Sequence, residues 1–388
     1  MPKNLVRAAL RDPRLRAPEE PPAPQRRRLL GAAAGLLLPL APGLVRAQAA
    51  AEPLQVGFVY VSPIGDAGWT YQHEQGRLAM QKALGDRVVS SAVEAVAEGA
   101  DSERVIRDLA AQGNQLIFAT SFGYLEPTLR VAAEFPAVKF EHAGGYKTAA
   151  NVNTYNARYY EARYLAGLLA GKSSKSGIAG YVAGFPVPEV VQGINAFALG
   201  MREANPNARV LVVWLNTWFD PARERDAAQT LINQGADVLT NHSGSPAVPQ
   251  TAQANFKAKG VRAIAYQSDM HAYAPDAQLA AITQQWGGYY TQVARSVLNG
   301  SWKPQPVWGG MKDGLVQLSA VSHDVPAATQ ALVEARRKAI VEGRFAPFAA
   351  PLVDNEGRVR LATGALDDSS IATMNWFVRG VQGAVPKP

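Results

Sequence analysis

The sequence predicts an α/β protein of two lobes, each built on a doubly wound parallel sheet. Three observations predict it. Short apolar runs rich in Val, Ile, Phe and Tyr alternate with helical stretches at a period of about 30 residues, the span of a βα unit with a right-handed crossover. The runs are apolar throughout rather than alternating, as strands covered on both faces must be. The alternation occurs twice, in two sets of about four units, with no repetition of sequence between them.

The first unit sets the pattern. Val56 to Val61 reads as a strand, Ser62 to Gly68 breaks it with Pro63, Gly65 and Gly68, and a helix is expected from Trp69 to Leu84. Strands follow at Val88 to Val93, Gln115 to Thr120 and Val138 to His142. Between them come helices from Asp101 to Ala111 and from Leu125 to Phe135, the second stopped by Pro136. The polar stretch Asn151 to Asn156 marks a passage out of this lobe, and a helix from Ala157 to Ala170 opens the next.

In the second set, strands are expected at Ile178 to Ala183, Arg209 to Leu215, Val238 to Asn241 and Arg262 to Gln267. The helix beginning at Pro188 has Pro in its first turn, and Asp220 before Pro221 is the natural N-cap of the helix after it. Leu279 to Gln285 is a second passage between lobes, leading to a helix that ends near Leu298. The expected organisation is a leader over 1–49, a first lobe over 53–156 completed by about 286–300, a second lobe over 157–285, and a segment 301–388 packing on the lobes. Ala327 to Glu342 is the one clear amphipathic helix of that last segment.

The net charge of +7 belongs to the leader. Residues 1–49 hold nine of the 39 Lys and Arg and three of the 32 Asp and Glu, so the rest carries 30 against 29. No nucleic-acid or membrane-surface argument survives that subtraction. Arg26-Arg27-Arg28-Leu29-Leu30, an apolar run to Leu44 and the small-x-small Ala47-Gln48-Ala49 read as a twin-arginine-like secretory signal, cleaved near Ala49. Cysteine is absent, which excludes disulfides, thiolate metal sites and a lipidated N-terminal Cys.

In open α/β sheets ligands meet the loops beyond the carboxyl ends of the strands. Here those loops carry Asp66, Trp69 and Phe122 in the first set, and Asn216, Trp218, His242, Ser243 and Asp269 in the second; the second passage adds Trp286. Aromatic faces on opposed lobes suit a planar ring, and a few polar groups suit its edge. Each residue alone has a plainer reading: Asp66 as a helix cap, Trp218 or Phe122 as core, His242 as a hydrogen-bonded structural histidine. No H-E-x-x-H, G-x-S-x-G, Walker or dinucleotide-binding pattern occurs in a fitting context, so binding is expected rather than catalysis, with no metal and no cofactor.

Several stretches together carry a resemblance. VGFVYVSPIGDAGWTYQHEQGR (Val56 to Arg77), SFGY (Ser121 to Tyr124), NARYYEARYLAGLLAG (Asn156 to Gly171), GFPVPEVVQGINAFALG (Gly184 to Gly200), NTWFDP (Asn216 to Pro221), QSDM (Gln267 to Met270) and APLVDNEGRV (Ala350 to Val359) resemble the basic membrane protein family of periplasmic solute-binding proteins. The resemblance implies a type I periplasmic-binding-protein fold with a multi-strand hinge and a purine held between the lobes. It places Asp66 and Trp69 on one binding loop, Phe122 on a second and Trp218 opposite them. It sets Asp269 where nucleoside-binding members hold the ribose. Those members also carry a Lys after the next strand, whereas this chain reads Thr283-Gln284-Gln285-Trp286. The expected ligand is therefore a free nucleobase such as adenine, with Asp66 or Asp269 accepting from ring N–H groups. A nucleoside is the alternative ligand, and a ligand sensor or an exported nucleoside hydrolase the alternative function. The implied partners are that small molecule and the membrane permease of an ABC importer. No nucleic acid is implied, and the protein is expected to be a monomer.

Overall fold

The computed structural model describes residues 52–386, so the leader expected over 1–49 lies outside the described residues. Two six-stranded sheets organise the chain. In the first lobe β1 (Leu54–Val59), β2 (Val88–Val93), β3 (Leu116–Ala119), β4 (Lys139–Ala143) and β5 (Val152–Ala157) alternate with α1 (Trp69–Leu84), α2 (Ala100–Ala111) and α3 (Leu125–Glu134). In the second, α4 (Tyr159–Ser173) precedes β6 (Ile178–Ala183), α5 (Pro188–Ala204), β7 (Arg209–Trp214), α6 (Pro221–Asn233), β8 (Val238–His242), α7 (Ala247–Lys259), β9 (Arg262–Gln267) and β10 (Gln278–Gln284).

The two sheets have the same strand order. In each, the first strand of the lobe lies between the second and the third, and the fourth and fifth follow outward. All these pairings are parallel. The point where the order reverses is where side chains from successive loops converge.

Three passages join the lobes. β5 runs into α4, β10 runs into α8 (Trp286–Leu298), which returns to pack on α1, and β11 (Val307–Gly309) runs into β12 (Val316–Leu318). β11 extends the first sheet beside β5, and β12 pairs antiparallel with β10 in the second. The segment after 301 therefore does more than pack on the lobes: its first part gives each sheet an edge strand and makes the third passage. These strands are three residues long, too short for their pattern to stand out in sequence.

Beyond β12, α9 (Ala327–Val341) packs on α4. The last stretch is pinned to the second lobe. Asn195 on α5 donates to the Trp376 carbonyl at 2.7 Å and accepts from the Val378 amide at 2.9 Å. Gly380 and Gln382 exchange backbone hydrogen bonds with Val210 at the edge of β7.

The α4–α5 contact explains two glycines. A Cβ on Gly167 would lie 2.0 Å from the Phe197 carbonyl oxygen, and one on Gly200 would lie 2.0 Å from that of Tyr164. The two backbones touch, which only glycine permits. The core beneath the sheets is continuous from Val56 and Phe58 through Leu165 and Leu169 to Ile264 and Ile282. Among the described residues no helix is long and apolar enough to cross a membrane.

Candidate functional site

The carboxyl ends of both sheets face one another, and the lobes touch there. The amide of Gly68, before α1, donates to Ser268 Oγ after β9 at 2.8 Å. Gly68 has φ 94° and its α-carbon rests against the Gly244 carbonyl, so a Cβ would stand 2.0 Å from that oxygen. The cleft is closed, and it encloses a small cavity lined by residues of both lobes.

Its walls are aromatic and come from both lobes. Trp69 and Phe122 stand on one side, Trp218 and Phe219 on the other. Both indole N–H groups are used by the protein. Trp69 donates to the Thr120 carbonyl at 2.6 Å, and Trp218 donates across the cleft to Glu98 Oε1 at 3.0 Å. The same oxygen accepts from Ser121 Oγ at 2.6 Å and from the Gly123 amide at 2.8 Å. Trp218 is further set by Phe185, whose ring lies edge-on with centroids 4.9 Å apart. Fixed rings of this kind can present flat apolar faces to a planar guest.

Ser62 and Ser121 of the first lobe belong to the lining, and its other polar residues come from the second lobe. Glu189 on α5, His242 at the end of β8, Ser243 after it, and Gln267 at the end of β9 all reach the cavity. His242 Nε2 lies 3.4 Å from Glu189 Oε1, while Asn156 donates to Glu189 Oε2 at 2.9 Å. Burial holds the imidazole pKa below its usual value; Glu189 opposes the shift and the Arg163 charge adds to it. Arg163, fully buried on α4, lies beneath this floor. Its guanidinium stacks on Tyr266 at 3.6 Å and donates to Thr240 Oγ1 and the Asn241 carbonyl. Ser243 Oγ is committed to the buried carboxylate of Glu224 at 2.8 Å.

Of the residues singled out in the sequence, Trp69, Phe122, Trp218, His242 and Ser243 share this cavity. Four others do not, for identifiable reasons. Asp66 is exposed and hydrogen-bonds the Tyr273 hydroxyl across the rim, so it joins the lobes outside the cavity. Asn216 is an exposed turn residue with φ 54°, a conformation Asn tolerates. Asp269 is exposed and turned back on its own loop, accepting from the His271 amide at 3.0 Å and Gln278 Nε2 at 2.6 Å. Trp286 is 1% exposed and belongs to the first-lobe core, stacked on His73 at 5.2 Å. It supports the Trp69 wall from behind, because His73 in turn packs edge-on against Trp69 at 4.2 Å. Asp220 caps α6 through the Arg223 amide, as its place before Pro221 predicts.

Glu189 and Gln267 also line the cavity, and Glu98 holds Trp218; Glu189 stands among the loop-end residues of the sequence, while Glu98 and Gln267 were not chosen there. Glu98 follows β2 in an Ala- and Glu-rich stretch with no distinguishing motif, and only its position beyond a strand end pointed to it. Gln267 reads as the last residue of a strand, yet it has φ 80°, left-handed for a non-glycine, the kind of local strain that gathers at ligand sites. Among the described residues no group of three His, Asp or Glu could hold a metal ion.

A hinged pair of α/β lobes closed over one cavity is an arrangement that solute-binding proteins share. The family model described as ABC transporter substrate-binding protein PnrA-like matches residues 54–344, and the chain belongs to this Bmp family. A protein of Brucella abortus named as purine-binding is 49% identical over 339 residues, covering 87% of this chain and 95% of that one. A Haloferax volcanii protein named for glucose binding by an ABC transporter is 37% identical, covering 86% and 82%. An ABC transporter solute-binding protein of Aeropyrum pernix has the same fold at a TM-score of 0.66 and 18% identity, covering 82% and 95%. Such proteins bind a small molecule and deliver it to a membrane permease.

Proposed function

We propose that this protein binds a purine nucleobase, adenine or a close relative, in the interlobe cavity and carries it through the periplasm to its permease. The observation that carries the reading is the pairing of Trp69 and Phe122 on one lobe with Trp218 on the other around one closed space. Flat aromatic faces from opposed walls favour a planar heterocycle. The name of the Brucella relative supports the same ligand class. The free base is favoured over its nucleoside because Asp269, the residue expected to hold ribose, bonds within its own loop.

In this reading Trp69, Phe122 and Trp218 form the walls, and His242 and Ser243 form part of the floor. The reaction is capture and release without chemistry: the base binds the open form, closure buries it, and the closed form is what the permease meets. The leader over 1–49 exports the chain and is removed near Ala49, leaving a freely diffusing periplasmic protein.

A thermal-shift panel tests this. A ligand that binds only the native state raises Tm. Adenine is expected to raise it, and amino acids are not. No shift with any purine, alongside a shift with another class, would replace the reading.

A further inference from the structure

The polar atoms of the cavity are unequally assigned. Ser62 Oγ is paired with Thr70 Oγ1 at 2.7 Å, Ser121 Oγ and the Trp218 indole with Glu98, the Trp69 indole with Thr120, and Ser243 Oγ with Glu224. The hydroxyl and indole donors on the walls are thus spent inside the protein, and His242, whose Nε2 faces Glu189, keeps a buried Nδ1 without a partner. The Glu189 carboxylate remains, an acceptor only, with lone pairs beyond those facing Asn156 and His242. Gln267 remains as well: it is 3% exposed, and its Oε1 is buried with no partner. A buried amide oxygen without a partner is costly, and a ligand N–H that completes it recovers that cost.

Gln267 offers one donor and one acceptor, and Glu189 a further acceptor. The complementary edge is a ring nitrogen that accepts, beside an exocyclic amino group with two hydrogens to give. An oxo group in place of the amine presents lone pairs where the carboxylate needs a donor. We infer that Glu189 is the specificity-determining residue, selecting an amino-bearing heterocycle over its oxo counterpart, while Gln267, whose amide can turn to match either edge, holds the ring. The inference rests on the purine reading. His242 does not neutralise Glu189, since burial keeps its imidazole in the uncharged form.

Titration calorimetry of the protein with adenine and with hypoxanthine, which has an oxo group for the amine and a hydrogen on the adjacent ring nitrogen, tests the selection. Wild type is expected to favour adenine by at least about tenfold, the scale of one unmet buried hydrogen bond. Glu189→Gln, which puts an N–H donor where the carboxylate stood, should strengthen hypoxanthine binding and bring the ratio within about threefold. A gain of binding cannot come from misfolding. If that variant binds neither base, Glu189→Ala decides in its place, and its ratio must fall. Equal binding of both bases by wild type, or a ratio unmoved in the deciding variant, overturns the selection and leaves the purine reading standing. Binding of neither base by wild type overturns both.

Discussion

The indole N–H of Trp218, on the second lobe, donates to Oε1 of Glu98, on the first, at 3.0 Å. The bond exists only when the lobes are together, and it fixes the plane of an aromatic wall. One carboxylate oxygen thereby ties Ser121, Gly123 and Trp218 into a single arrangement. Glu98→Ala is expected to weaken adenine binding by about 1–3 kcal/mol, the usual cost of removing one partner of a charge-assisted bond. Unchanged affinity by calorimetry would remove Glu98 from the account.

The wall itself carries more. Trp218→Ala should weaken adenine binding by more than ~1 kcal/mol, the scale of one aromatic pair. The ring packs over Gly184 and beside Phe185 within its lobe, so Tm without ligand should also drop. Equal affinity in mutant and wild type would contradict the aromatic enclosure.

Gly68→Ala separates folding from closure. The new Cβ would stand 2.0 Å from the Gly244 carbonyl, but only in the closed arrangement. The φ of 94° adds about 1 kcal/mol of local strain at the start of α1. The expected result is a folded protein whose radius of gyration in small-angle scattering no longer contracts with adenine. Contraction equal to that of wild type would show that this contact does not limit closure.

Two residues exchange roles with expectation, and their variants should too. Trp286→Ala should cost roughly 3–5 kcal/mol of stability, as for a large aromatic removed from a packed core. Asp269→Ala, at an exposed turn, should leave adenine affinity within about 0.5 kcal/mol of wild type. Urea unfolding and calorimetry check the pair, and a large affinity loss in Asp269→Ala would restore it to the site.

Glu141, on β4, is buried among Tyr289, Trp302 and Asn153, all of which donate to it. Burial nevertheless raises its pKa from 4.5 to about 7. A raised carboxyl pKa means the folded state holds the proton more tightly, so this group favours folding below about pH 4.5, and that contribution is lost as pH rises through about 7. The full span corresponds to about 3 kcal/mol. Glu141→Gln removes the titration, so its stability relative to wild type should be more favourable at pH 8 than at pH 4.5. Parallel urea midpoints at the two pH values measure this, and a difference that does not change with pH would contradict it.

The fold was legible because two independent signals agreed: uniformly apolar runs at strand length, and helical stretches between them. Loop placement then followed from topology, which is why Trp69, Phe122, Trp218, His242 and Ser243 were found together. The same rule misassigned Trp286. It follows a strand, but α8 returns to the first lobe and buries it behind α1, and no local pattern reveals which way a chain turns after a passage. Asp66 and Asp269 were chosen as acceptors, but a side chain's direction within a turn depends on partners that no motif marks, Tyr273 far along the chain for Asp66 and nearby His271 and Gln278 for Asp269. Gln267 was hidden because its strain lies in φ, which the sequence does not display.

The central claim is that opposed aromatic walls close on a planar base. Titration of the full protein with adenine and, in parallel, with D-glucose tests it most directly, since relatives named for each ligand exist. The account predicts saturable one-to-one binding of adenine and no heat from glucose. Saturable glucose binding with none of adenine would contradict it.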